Sequence, residues 1–309
     1  MSSMKQQRAD GREFGRGKVI LLGEHAVVHG YPAIAVGIER GVRAEARIAE
    51  RDLLRLDPWD LCLEPDSAGT QPLARAFAAV LDAYEDRPPL EVCATAELPA
   101  GAGLGCSAAI GVAVLDAIDE ALGRSRSRAE LGEAALTWEE VFHGNPSGVD
   151  NTMSAVGGVA LFVRGEPLRP IQSNKPLHLV VGYSGDSSST KEMVASVRRQ
   201  LQDDPERVRK TFSAIETLVR NAKLAIEAGD LVALGQLLDL NHTLLSSLML
   251  CTTKLDAMCQ TARRAGALGA KITGAGGGGC MFALAPKRDA AERVRAALGD
   301  EAFVAEVSA

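Results

Sequence analysis

Pro99-Ala-Gly-Ala-Gly-Leu-Gly-Cys-Ser-Ala-Ala109 decides how this chain reads, because three glycines in five positions run straight into an apolar helical stretch. The segment before it alternates like a strand, with Val92, Ala94, Ala96 and Leu98 on one face. Glycines let the backbone turn several N–H groups toward one point, and a helix N-terminus adds partial positive charge there. The arrangement suits a phosphate. A tight strand–helix turn with no ligand would use the same glycines, so the loop needs support from elsewhere.

Two familiar phosphate signatures do not fit. A P-loop needs Lys directly before Ser/Thr, and Cys106 stands before Ser107. Gly103, Gly105 and Ala108 formally make G-x-G-x-x-A, but a dinucleotide fold needs a second strand ending in an acid, and helical patterns follow here instead. Ser107, in the first turn of its helix, could ligate a magnesium ion or simply cap the helix.

Three other segments carry chemistry. Asn145-Pro-Ser-Gly-Val-Asp150 sets Asp150 behind a rigid turn, where an isolated Asp is commonly a cap or a solvated charge. Glu139 and Glu140 fall before it, read as the C-terminal end of a helix, where negative charge opposes the dipole and a cation would offset it; salt bridges to arginines would do the same. Lys271-Ile-Thr-Gly-Ala-Gly-Gly-Gly-Gly279 has five glycines in six positions, which implies a hinge or close approach to the first glycine loop or a substrate, with Gly276 taken as substrate-facing. Near the start, Lys18 stands within an apolar strand signal, and a buried lysine needs a partner, for which Asp150 is a candidate. His25 and His29 lie outside any zinc-like HExxH pattern and read as hydrogen-bonding residues.

Composition bounds the rest. The chain has 309 residues, 46% hydrophobic and 24% charged, with aromatics at only 4%, so an aliphatic core is expected. A net charge of −6 speaks against nucleic-acid or anionic-membrane partners and demands a local positive site for any phosphorylated substrate. The six cysteines show neither a C-x-x-C pair nor zinc-like spacing, as free thiols in a reducing compartment would. The first residues carry no apolar signal core, and no apolar run approaches the roughly 20 residues that cross a bilayer, so a cytoplasmic protein is expected.

Along the chain, strands are expected at Lys18–Leu22, Val42–Ile48, Leu177–Val181, Met281–Leu284 and Ala302–Val307. Helices are expected over 71–84, Ser107–Leu122 and Ala290–Leu298, and through most of 184–266 with breaks at Gly229-Asp230 and near Thr252-Thr253. Ser127 and Glu130 form a capping box for a helix carrying Leu131, Ala135 and Trp138 on one face. The texture changes near residue 175, which divides the chain into lobes of 1–175 and 176–309.

Taken together, an N-terminal motif, the central glycine loop and the C-terminal glycine run resemble the GHMP kinase superfamily, in order and over nearly the whole chain. Within it, Gly17-Lys-Val-Ile-Leu-Leu-Gly-Glu-His-Ala-Val-Val-His-Gly30, His143-Gly-Asn-Pro-Ser-Gly-Val-Asp-Asn151 and Ser189-Thr-Lys-Glu-Met193 are similar to the mevalonate kinases. The resemblance implies an α+β fold of two lobes, an N-terminal ribosomal-protein-S5-like lobe and a C-terminal ferredoxin-like lobe. It implies transfer of the γ-phosphoryl of ATP to the C5 hydroxyl of (R)-mevalonate, with ATP and Mg2+ as cofactors and a homodimer as a family-level expectation. By the same pattern, Asp150 would be the general base and Lys18 would pair with it and stabilise the alkoxide. Ser107 and Glu139 match the magnesium ligands, and Pro99 with Gly101, Ala102, Gly103, Leu104, Gly105, Cys106, Ser107 and Ala108 would wrap the phosphates. Glu24, His25, Ser147 and Thr190 fall at acceptor-pocket positions.

The departures are Arg16 where the family has proline, Leu22 where many members have histidine, and Cys106 for the first serine of the loop. A thiol is a poor hydroxyl substitute, so Cys106 is expected to offer only its backbone N–H. A sister kinase acting on an already phosphorylated acceptor would need extra basic residues near Glu24 and His25, and none is evident. A non-catalytic sensor of the same superfamily would not need Asp150 and Lys18.

Overall fold

The computed structural model describes residues 14–307 apart from Pro58, Asn145 and Ser147. Its elements begin with β1 (Phe14–Leu22), a short 3-10 turn (Ala26–His29), β2 (Ala33–Ile48), β3 (Leu53–Asp57), β4 (Leu61–Leu63), α1 (Pro72–Leu81) and β5 (Leu90–Ala96). There follow α2 (Cys106–Ala121), α3 (Arg128–Ala134), α4 (Leu136–His143), α5 (Val149–Val156), β6 (Val159–Phe162), β7 (Arg169–Pro170) and β8 (Leu177–Tyr183). Last come α6 (Thr190–Asp203), α7 (Pro205–Ala228), α8 (Leu231–Ser247), α9 (Thr253–Arg264), β9 (Gly269–Ile272), β10 (Cys280–Ala285), α10 (Arg288–Leu298) and β11 (Phe303–Val307).

The chain gathers into two compact units that are not consecutive stretches, unlike the lobes expected from sequence texture. One holds residues 14–17, 40–99 and 105–156; the other holds 18–39, 100–104 and 157–307. The interleaving follows from two long strands: β1 and β2 each run through both groups of residues.

In the first unit, the Val42–Ile48 half of β2 pairs antiparallel with β5, β5 pairs parallel with β3, and β3 forms a hairpin with β4. Helix α2 is buried almost all round and packs on α3, α4, α5 and β5. Its Gly111 allows that approach, since a Cβ there would lie 2.6 Å from Trp138 of α4. The Ser127–Glu130 capping box is present in both directions: Glu130 N–H donates to Ser127 Oγ, and Ser127 N–H to the Glu130 carboxylate. The helix it opens ends sooner than expected, however. The chain breaks at Ala135, which caps α3 and precedes α4, so Leu131 and Trp138 lie on two separate helices.

In the second unit, β8 to β11 form an antiparallel sheet in the order β11-β8-β10-β9. Connected as strand, helices, two strands, helix and strand, this is the ferredoxin-like arrangement the resemblance implied. Helices α8, α9 and α10 pack on these strands. Helix α7 turns Val208, Phe212, Ile215, Val219, Ala222 and Ile226 inward at helical spacing. Burying each of the larger ones stabilises the unit by roughly 1.5–3 kcal/mol. The expected breaks at Gly229-Asp230 and near Thr252 are real ends, capped by Asp230 and Thr252 side chains. A further break separates α6 from α7 at Asp204-Pro205, where Asp204 accepts from Arg207 N–H and proline takes the first helical position.

Candidate active site

In the second unit, residues of three glycine-bearing segments lie against one another. Lys18 is only 3% exposed, as its place in an apolar strand demanded. Its backbone N–H donates to Leu104 O at 2.9 Å and its Nζ to Gly103 O at 3.0 Å, so one lysine grips the glycine loop twice. The C-terminal glycine run closes on the same loop. Cys280 N–H donates to Ala102 O at 3.1 Å, and a Cβ on Gly279 would come within 2.8 Å of that oxygen. A Cβ on Gly274 would lie 3.2 Å from Gly103. These approaches account for the density of glycine: backbone lies on backbone, leaving no room for side chains.

The Gly23–His25 turn after β1 is tied to the strand leading into that run. Glu24, 1% exposed, forms an ion pair with Lys271, which is fully buried, and its other carboxylate oxygen accepts from Asn241 Nδ2 at 3.1 Å. Lys271 Nζ also donates to Ile272 O and lies 5.2 Å from the Phe282 ring, its cross-strand neighbour on β10. Burial pulls the Lys271 ammonium's pKa down, and the Glu24 carboxylate opposes that pull. Thr273 Oγ1 accepts from Ile20 N–H at 3.1 Å and donates back to Ile20 O.

His25 Nε2 is 2.8 Å from Ala275 O. A carbonyl can only accept, so Nε2 carries the proton and the neutral ring keeps Nδ1 as an acceptor. Burial is the main reason its pKa falls from 6.5 to about 4, with His29 adding to the fall and the Ala275 bond resisting it. His29 stacks on Phe212 of α7 at 5.0 Å.

Thr190 opens α6 and is exposed, behind Ser189, which caps the helix by accepting from Glu192 N–H. Gly276 sits between two neighbours: its carbonyl accepts from Ser188 Oγ at 2.6 Å, and a Cβ would lie 2.5 Å from Leu250 O.

A pH effect follows from His25. Between pH 6.5 and about 4 the unfolded chain binds a proton that the folded chain does not. Stability is therefore whole above the unfolded value and is lost as pH falls through this window, by roughly 3 kcal/mol from this residue. His29 and His242, also held low by burial, act in the same sense. Melting curves at about pH 7.5 and about pH 5 should differ less for His25→Gln than for the unaltered protein, and an unchanged gap would contradict the assignment.

One cluster in this unit has metal-ligand chemistry: His242, Cys251 and Asp256 bring ligand atoms within 4.8 Å of one another. His242 Nδ1 accepts from Ile272 N–H at 3.4 Å, which leaves the proton on Nε2, 3.2 Å from Asp256 Oδ1. A metal would need that nitrogen bare, so the geometry describes a hydrogen-bond relay joining α8, β9 and α9.

The other candidate residues divide between the units: Gly101, Ala102, Gly103 and Leu104 belong to the second, and Pro99, Gly105, Cys106, Ser107, Ala108, Glu139 and Asp150 to the first. Gly101, Gly103 and Gly105 all have positive φ (68°, 82° and 73°) on the way into α2. Gly105 is the N-cap and makes no side-chain cap bond, so the leading N–H groups of α2 have no capping side chain. An anion fits such a cradle, and a phosphate chain suits it. Ala102, Leu104 and Ala108 are buried and Pro99 half-buried. Cys106 turns its thiol toward Leu98 O at 3.9 Å, and burial with nearby Glu139 pushes the thiol's pKa up to about 12. It is a neutral filler whose side chain offers nothing to a phosphate.

Ser107 is half-buried on the second residue of α2. Glu139 is 1% exposed, 3.5 Å from His143 Nε2. The break at Ala135 puts Glu139 in the first turn of α4, where the dipole favours it. The expectation that it opposes a helix dipole at a C-terminal end is thereby corrected, and the dipole no longer calls for a cation. A hydroxyl with a carboxylate remains a hard-oxygen donor set suited to magnesium.

Asp150 is half-buried in the first turn of α5. Its neighbour Asn151 donates to Gly132 O of α3 at 2.6 Å, and Arg128 donates to Ala155 O at the far end of α5 and to Phe14 O. These bonds fix the helix that carries Asp150. Ser147, the remaining expected site residue, lies outside the described residues. Lys271, Thr273 and Asn241 escaped the sequence reading. Lys271 was legible by the same logic as Lys18, a lysine between Ala270 and Ile272 in an apolar strand; Asn241 sits in helical sequence that gives no such sign.

The family model described as "GHMP kinases N terminal domain" matches residues 72–158, and "GHMP kinases C terminal" matches 222–305. The mevalonate kinase of Pyrococcus horikoshii is 39% identical over 296 residues, covering 88% of this chain and 87% of that one. The crystal structure of L. major mevalonate kinase in complex with R-mevalonate superposes with a TM-score of 0.85 at 31% identity, covering 97% of this chain and 96% of that one. That of the Methanococcus jannaschii mevalonate kinase gives 0.81 at 25% identity, covering 96% and 97%.

Proposed function

From the premise that this chain belongs to the GHMP kinase family, we propose that it is an ATP-dependent mevalonate kinase, moving the γ-phosphoryl of ATP to the C5 hydroxyl of (R)-mevalonate. The observation that carries this reading is likeness to the P. horikoshii and L. major kinases through nearly the whole chain.

When bound, ATP supplies the phosphoryl group, and a magnesium ion neutralises charge on its phosphates. The protein's share is positioning and electrostatics. Pro99 and Gly101–Ala108 wrap the phosphates, with backbone N–H groups of Gly101–Ala108 directed at them. Ser107 Oγ and the Glu139 carboxylate would hold the magnesium. Asp150 takes the proton of the C5 hydroxyl as its oxygen attacks, and the Lys18 ammonium stabilises the negative charge that develops there. Glu24, His25, Ser147, Thr190 and Gly276 line the acceptor pocket, with neutral His25 offering Nδ1 as a hydrogen-bond acceptor. The cysteines are free thiols, which suits a reducing compartment, and we place the protein in the cytoplasm as a homodimer.

Initial rates with mevalonate, phosphomevalonate and galactose, each with and without magnesium, test the reading. Magnesium-dependent turnover of mevalonate alone is expected. Turnover of phosphomevalonate in its place would move the specificity to a sister kinase, and ATP binding without turnover of any acceptor would contradict catalysis.

A further inference from the structure

Lys271, Thr273 and Ala275 alternate along one segment, and each holds a residue of the first motif: Glu24, Ile20 and His25 respectively. Of these contacts only the Lys271–Glu24 pair is ionic, and it is sealed from water, at 0% and 1% side-chain exposure. A buried ion pair is weak evidence for stability, because two apolar side chains of similar volume often serve as well. What it supplies is a fixed direction for each charged group. The turn it anchors is strained: His25 has φ 60° and ψ −46°, a conformation a non-glycine residue keeps only where its surroundings hold it.

We propose that Lys271, assisted by Asn241, is a positioning residue for the acceptor site, holding the Glu24 carboxylate and, through the Gly23–His25 turn, the His25 ring in their binding orientation. The proposal rests on the reading of Glu24 and His25 as acceptor-pocket residues. Neither Lys271 nor Asn241 touches the acceptor; each acts through Glu24. Asn241 accounts for the second carboxylate oxygen and is itself fully buried. Cys259 of α9, whose thiol burial pushes up to about 12, and His242 of α8, which burial holds below its usual range, also act on Lys271 or feel its charge. Both are neutral at neutral pH, so neither replaces the Glu24 carboxylate as the ammonium's partner.

The test compares Lys271→Met and Asn241→Leu with the unaltered enzyme, measuring kcat, the KM for mevalonate and the KM for ATP. Lys271→Met should lower kcat/KM for mevalonate on the order of 10²-fold while the KM for ATP stays within about twofold. Asn241→Leu keeps the ion pair and should raise the KM for mevalonate about tenfold.

A variant that melts earlier but keeps the unaltered kcat and KM for mevalonate shows a purely structural pair and overturns the proposal. If Lys271→Met does not fold, Asn241→Leu decides, and an unchanged KM for mevalonate overturns it. Failure of the unaltered enzyme to phosphorylate mevalonate, read first, would strike the acceptor assignment itself.

Discussion

Asp150→Asn should lower kcat on the order of 10²–10⁴-fold, with ATP binding and melting temperature nearly unchanged. The amide has almost the carboxylate's shape but cannot take a proton from the attacking hydroxyl. The helix that carries it is anchored by other residues, through Asn151 to Gly132 O and through Arg128 to Ala155 O. Asp150 is also half-buried rather than sealed in the core. Single-turnover rates, which separate chemistry from product release, are the proper measurement. A rate within about tenfold of the unaltered enzyme would remove Asp150 from the role of general base and leave it a positioning or capping residue.

Lys18→Met should be the second most damaging change, and for two reasons that can be separated. Methionine keeps the apolar stem in its buried place but removes the ammonium, and with it the charged donor to Gly103 O. Loss of that hydrogen bond should destabilise the loop by about 1.5–3 kcal/mol, seen as a weaker affinity for ATP and a lower melting temperature. Loss of the positive charge should cost a further 10²–10³-fold, roughly, in kcat. Lys18→Arg should not restore activity, since the planar guanidinium does not fit a site shaped for a compact ammonium at 3% exposure. A variant with weakened ATP affinity but unchanged kcat would show that Lys18 only anchors the loop.

Much of the fold was legible because its helices carry their own punctuation. Ser127 with Glu130, Gly229-Asp230 and Thr252 each mark a helix end by side-chain chemistry, and each is found where it was expected. The breaks that escaped have weaker local signs. Ala135 is a good helix former, so nothing in the sequence marks the point where α3 gives way to α4. That one missed break reversed the reading of Glu139, from a charge opposing a helix dipole to one favoured by it.

Glycine density announced that backbone meets backbone, and Gly279 against Ala102 is the result. Which buried groups would meet was harder to read. Lys18 and Lys271 look alike in sequence, each a lysine among strand aliphatics, yet one donates to a loop carbonyl and the other to a carboxylate 247 positions away. Pairings at that separation are set by tertiary packing, for which local pattern carries no signal.

The most direct test of the central claim is the 31P spectrum of the product formed from (R)-mevalonate, ATP and magnesium. Transfer to the C5 hydroxyl puts the phosphate on a CH2 carbon, so the new resonance should split into a triplet by coupling to its two protons, and it should be missing when Asp150→Asn is used. A new singlet would mean transfer to the tertiary hydroxyl or the carboxylate, and ADP release with no new ester resonance would mean hydrolysis. Either result would contradict the acceptor chemistry assigned to this site.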